Sequence, residues 1–178
     1  MRFTLRQLFG AVTIAAVAIA ILLYATKSYR ERLAIRSHLE SLGAYQVRFG
    51  PGNSITAAFH VPVSSPEIAQ YKRIEVLDFK EAHVTSASLA NLAGLEHVGI
   101  ILLTMCDVTD EDLLPLQKIG GVRILCLRHT KITDASIDTI AKIPGLERVD
   151  LSHTLVTPTG IKRLHATRPS INTEPLWP

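Results

Sequence analysis

The pairs Val84-Thr85, Val108-Thr109, Ile132-Thr133 and Val156-Thr157 recur every 24 residues, and this regularity constrains the fold more than any other property of the chain. A fixed period of that length marks a supersecondary unit that cannot bury its apolar face alone, so the copies stack and share a core. Sliding the sequence by one period aligns further columns. Ile74, Val98, Val122 and Leu146 open the unit, Leu77, Ile101, Leu125 and Val149 follow, and Phe79, Leu103, Leu127 and Leu151 come next. The last two columns lie two residues apart, so they share one face of a strand. Leu89, Leu113, Ile137 and Ile161, followed three residues on by Leu92, Leu116, Ile140 and Leu164, have helical spacing instead.

Each threonine of the pair is placed to start that helix, because its hydroxyl accepts a hydrogen bond from an unpaired first-turn amide. Asp110, Asp134 and Pro158 come next; acid suits the positive end of a helix and proline its first position. A small or polar slot, occupied by Ala82, Cys106, Thr130 and Thr154, precedes the pair. A hydroxyl turned inward there bonds the backbone where the strand ends, which the threonines do readily, Cys106 weakly and Ala82 not at all.

The segment Val122–Asp134, of pattern L-x-x-L-x-L-x-x-T-x-I-T-D, resembles the bacterial and cysteine-containing classes of leucine-rich repeat. Four units match, within residues 71–168. The resemblance implies an α/β fold, a right-handed leucine-rich repeat solenoid with a concave parallel sheet and short convex helices. It implies binding rather than catalysis but specifies no ligand.

Residues 1–27 read as a transmembrane signal anchor. Gln7 to Thr26 carry no charge, and about 20 helical residues match the roughly 30 Å hydrocarbon core of a bilayer. The expected location is a single-pass membrane protein, its remaining domain leaning to the extracytoplasmic side, although the basic residues following the span favour the opposite orientation. Residues 28–70 are expected to form a helix ending at Gly43 and a β-hairpin turning at Gly50–Asn53, together an α+β N-terminal cap. Residues 169–178 supply a closing strand at Ile171–Thr173 and a tail in which Trp177 shields the open end. The wider arrangement is similar to small membrane-anchored leucine-rich repeat proteins of bacteria. Residues 1–48 hold a balance of +5 and the rest of the chain −2, so the basic character belongs to the membrane flank and argues against nucleic acid.

Alternation places Val76, Asp78, Lys80, Ile100, Leu102, Thr104, Ile124, Cys126, Arg128, Arg148, Asp150 and Ser152 on the concave face. Ile100, Leu102, Ile124 and Cys126 form an apolar group edged by charge, the pattern of a contact surface for a protein or peptide. The plainer alternatives are cover by the chain's own segments, a homodimer contact, or degeneracy without a ligand. His129 and His153 share one slot in adjacent units, but Glu81 and Met105 hold the equivalent positions and no third ligand repeats there, so neither a metal nor any other cofactor is expected. Phosphate loops, HExxH, paired CxxC and nucleophile elbows are missing, which excludes the familiar enzyme templates. The expected function is therefore membrane-anchored protein recognition through the concave face. The alternative is a self-associating envelope scaffold, for which Ala11, Ala15, Ala16 and Ala20 offer small residues for helix contact.

Overall fold

The computed structural model describes the backbone of residues 5–50, 54–59, 66–71, 73–79 and 81–176, with side chains from residue 17 onward except at 45, 66 and 69. Lys80, Trp177 and the expected turn at 51–53 lie outside these. Two compact units form, Met1–His38 and Leu39–Pro178. The first consists of helix α1, which runs from Leu5 to Ser41 and so ends inside the second unit. Gly43 then takes a φ of 101°, a left-handed conformation in which glycine escapes the Cβ clash, and the chain turns into strand β1.

In the second unit, strands β1 (Ala44–Phe49), β2 (Ile55–Phe59), β3 (Arg73–Asp78), β4 (His97–Leu102), β5 (Ile124–Cys126) and β6 (Arg148–Asp150) form one sheet in sequence order. β1 and β2 are antiparallel, and every later pairing is parallel. Register follows the sequence period: Val76 pairs with Ile100, Ile100 with Ile124, and Ile124 with Arg148. The parallel strands return through α2 (Ser86–Ala90), a 3₁₀ helix at Glu111–Lys118, a 3₁₀ turn at Asp134–Ser136 that leads into α3 (Ile137–Ala141), and finally α4 (Pro158–Thr167) after β6. Between these helices and the sheet lies the core. Ile74, Val98, Val122, Leu77, Ile101, Leu125, Leu89, Leu113, Ile137, Leu92, Leu116 and Ile140 are all fully buried.

Capping explains three of the four repeated threonines. Thr85 accepts from the Ser88 amide at 3.3 Å, Thr133 from Ala135 at 3.2 Å and Thr157 from Gly160 at 3.2 Å, with Pro158 opening the last helix. Thr109 differs. Its amide and hydroxyl donate to Asp112, at 2.9 and 2.7 Å, and the 3₁₀ helix starts beyond Asp110.

Asp110 and Asp134 act on the following unit. The Asp110 carboxylate accepts from the amide and hydroxyl of Thr133 at 2.7 and 2.6 Å, and Asp134 does the same for Thr157 at 2.8 and 2.7 Å. The threonine hydroxyl thus donates to the preceding acid while accepting from its own helix, which fixes both neighbours' spacing. These bonds from Thr157 hold the Asp134 carboxyl below its ordinary range.

Two expectations are corrected. The membrane span is the first: among the described residues no helix is long and apolar enough to cross a membrane. With the span go the signal anchor at 1–27, the single-pass location and its lean to the extracytoplasmic side. The second is architectural. In place of a leucine-rich repeat solenoid behind a transmembrane helix, the chain forms a mixed α/β domain with a six-stranded, mostly parallel sheet, whose first pair is antiparallel and whose connections mix α and 3₁₀ turns.

Candidate recognition face

Strand alternation buries one side of the sheet and leaves the other to carry any site. Two lateral rows cross that second side. One runs Val76, Ile100, Ile124, Arg148 and the other Asp78, Leu102, Cys126, Asp150, each step being a paired position on the next strand. Neighbouring strands lie about 4.8 Å apart, so side chains within a row touch. Val76, Ile100, Ile124 and Leu102 are half-buried and make an apolar patch over β3 to β5. Asp78 at one margin and Arg148 at the other are half-buried too.

Toward β6 the same rows close over. Cys126 and Asp150 are fully buried, contrary to their expected exposure. The segment after α4 supplies the reason at Asp150. Asn172 bridges to Arg148 beside β6, and the chain then crosses the face. The Arg148 guanidinium donates to the Glu174 carbonyl at 3.3 Å and to that of Pro175 at 2.6 Å, while Asp150 Oδ2 accepts from the Leu176 amide at 2.9 Å. Asp150 Oδ1 accepts from the Ser152 amide, also at 2.9 Å. Burial by itself would raise the Asp150 pKa, but the bonds from Ser152 and Leu176 and the nearby charge of Arg128 outweigh it, so the carboxyl stays ionised below its ordinary value. Thr104 sits 3.3 Å from the Cys126 sulfur. Arg128 and Ser152, one and two periods beyond Thr104, are half-buried.

Both thiols are free. Burial pushes Cys106 up to about 11, against the opposing backbone bonds of Ala82 and Glu81, and its Sγ donates to the Phe79 carbonyl at 2.7 Å. Burial likewise raises Cys126. Thiolate is the reactive form, so both cysteines are poor nucleophiles in the folded chain. Thr130 and Thr154 fill the Cys106 slot in the next two units, bonding the carbonyls of Leu127 and Leu151 at 2.6 and 2.7 Å.

At the rim, four equivalent residues adopt left-handed backbone: Glu81, Met105, His129 and His153, with φ of 63°, 58°, 58° and 56°. Each occupies the third position of a turn closed by the next residue's amide, where a type II turn requires positive φ. For non-glycine residues this costs on the order of 1 kcal/mol each. A main-chain bond offsets it: the amides of Glu81, Met105 and His129 reach the carbonyls of Thr104, Arg128 and Ser152 at 3.0–3.1 Å, extending the ladder beyond the strands. The identical backbone lays the His129 and His153 rings face to face, with centroids 4.3 Å apart and planes 4° from parallel. Parallel rings aim their nitrogens alongside one another rather than at a common point. Among the described residues no group of three or more His, Cys, Asp or Glu is placed to hold a metal.

Arg168 stands where the sequence pattern leads one to expect an apolar residue, and that pattern assigns it no role. Its guanidinium donates to the carbonyls of Ala141 and Ile143 at 3.0 Å and Leu146 at 2.8 Å, closing the last turn of the core. The break in an apolar column was the available signal. No known protein family matches the chain, and no curated protein does. The resemblance to bacterial leucine-rich repeat proteins therefore gains nothing from these comparisons.

Proposed function

We propose that residues 39–178 form a protein-recognition module whose ligand lies on the open face of the sheet, over Val76, Ile100, Leu102 and Ile124. The observation that carries this reading is the alignment of those four half-exposed apolar side chains in two rows of a rigid sheet, between Asp78 and Arg148. A contiguous apolar patch with polar margins is the surface character of an interaction site. Exchanging Leu102→Asp and Ile124→Asp together places charge in the patch without touching the buried columns. In a pull-down from cell extract the double variant should lose a stoichiometric partner that the parent chain retains, with its thermal midpoint unchanged. Equal capture by both chains discards the reading.

A second reading, self-association as a scaffold, is favoured by one observation in the other unit. Val17, Ile19, Ile21, Leu22, Leu23 and Tyr24 of α1 are all more than half exposed, on every side of the helix. Buried between copies, such a surface would stabilise an oligomer. Sedimentation of the full chain across a concentration series should then reveal a species larger than the monomer, and a monomer throughout removes this reading.

A further inference from the structure

The face is not bare at both ends, and its occupied end reveals the chemistry it accepts. Over β6 the two rows of the proposed recognition face finish in Arg148 and Asp150. Those two residues hold a short segment, bent at Glu174 and Leu176, by its main chain: two consecutive carbonyls on the guanidinium and the following amide on the carboxylate. This pattern is indifferent to side-chain identity at residues 174 and 175. Burial follows the seat of the segment. In the row Asp78, Leu102, Cys126, Asp150, the first two are half-buried and the last two, nearest the segment, are sealed.

We propose that Glu174–Leu176 is an intramolecular occupant of the recognition face, a strap that holds the place of an external partner. The partner is a peptide that presents two successive main-chain carbonyls and then an amide to Arg148 and Asp150. It lays its apolar side chains toward Ile124, Ile100 and Leu102. This rests on the recognition reading of the same face, and it adds the partner's backbone form and the competition at β6. Tethering gives the strap an effective concentration in roughly the millimolar range, so an untethered peptide of equal intrinsic affinity competes poorly until the strap is released.

Two measurements test it. A fluorescent peptide spanning residues 172–178 should bind saturably to a chain ended at Thr173, and about tenfold or more weakly to the full chain. Absence of binding to a truncated chain that keeps its native circular dichroism, or equal affinity for both chains, overturns the proposal. Should the truncated chain fail to fold, the full chain decides the matter through Cys126. Leu176→Pro deletes the amide that Asp150 accepts, so alkylation mapped at Cys126 should accelerate about tenfold or more through local opening, while Cys106, bonded to Phe79, stays protected. Unchanged Cys126 alkylation sinks the strap. Neither measurement involves an external partner, so failure of the recognition reading under the Leu102 and Ile124 exchanges is separately visible.

Discussion

Leu125→Ala is expected to destabilise the 39–178 unit by about 2–5 kcal/mol. Leu125 is fully buried on β5, an inner strand of the parallel set, paired to Ile101 on one side and Val149 on the other. Both neighbours also point into the core, so the void opens between two units and neither can fill it without breaking register. Urea denaturation followed by circular dichroism would measure the loss. The same truncation at Leu155, which is 64% exposed and outside the repeated apolar columns, should stay within about 0.5 kcal/mol and serves as the control. Equal losses at the two sites would refute the assignment of the columns as core.

Arg168→Met should cost on the order of 3 kcal/mol. Methionine preserves much of the aliphatic stem but leaves the carbonyls of Ala141, Ile143 and Leu146 without the charged donor they share. Hydrogen bonds involving a charged group contribute about 1.5–3 kcal/mol each, and partial exposure of this cluster keeps the total well under the sum. Arg168→Lys should rescue little of it, because an ammonium cannot span three carbonyls that a planar fork reaches from two nitrogens. A lysine variant as stable as the parent chain would show that charge alone, rather than the fork, closes this end.

What the sequence made legible was whatever repeats. The columns of Ile74, Leu77, Phe79, Leu89 and Leu92 and their successors announce a core and a parallel sheet, because burial forces the same residue type at each recurrence. The pairing of Ile100 with Ile124, one period apart, follows from the same rule. Features that occur once stayed hidden. Cys126 and Asp150 obey strand alternation and would be exposed by it, yet a segment outside the period covers the end of their row. Arg168 breaks an apolar column, and its reach to three carbonyls is not written in the pattern it interrupts. The membrane expectation failed for a related reason: a one-dimensional count took the uncharged run from Gln7 to Thr26 as sufficient, whereas no helix among the described residues is long and apolar enough to cross a membrane. Asp110 and Asp134 lie between these cases. Their recurrence was visible, but their reach to Thr133 and Thr157 depends on how closely adjacent units approach.

Each ladder of the sheet joins strands that are immediate neighbours in sequence, from β1 through β6. A pull applied beyond α4 therefore meets resistance in instalments. The bonds that tie residues 172–176 to β6 give way first, then the Arg168 fork, then the three-residue ladder of β6 with β5, then that of β5 with β4, and only afterwards the longer pairing of β4 with β3. The load never falls on two ladders at once, so the chain opens tooth by tooth like a zipper, and its mechanical strength is that of its weakest rung rather than of the whole sheet.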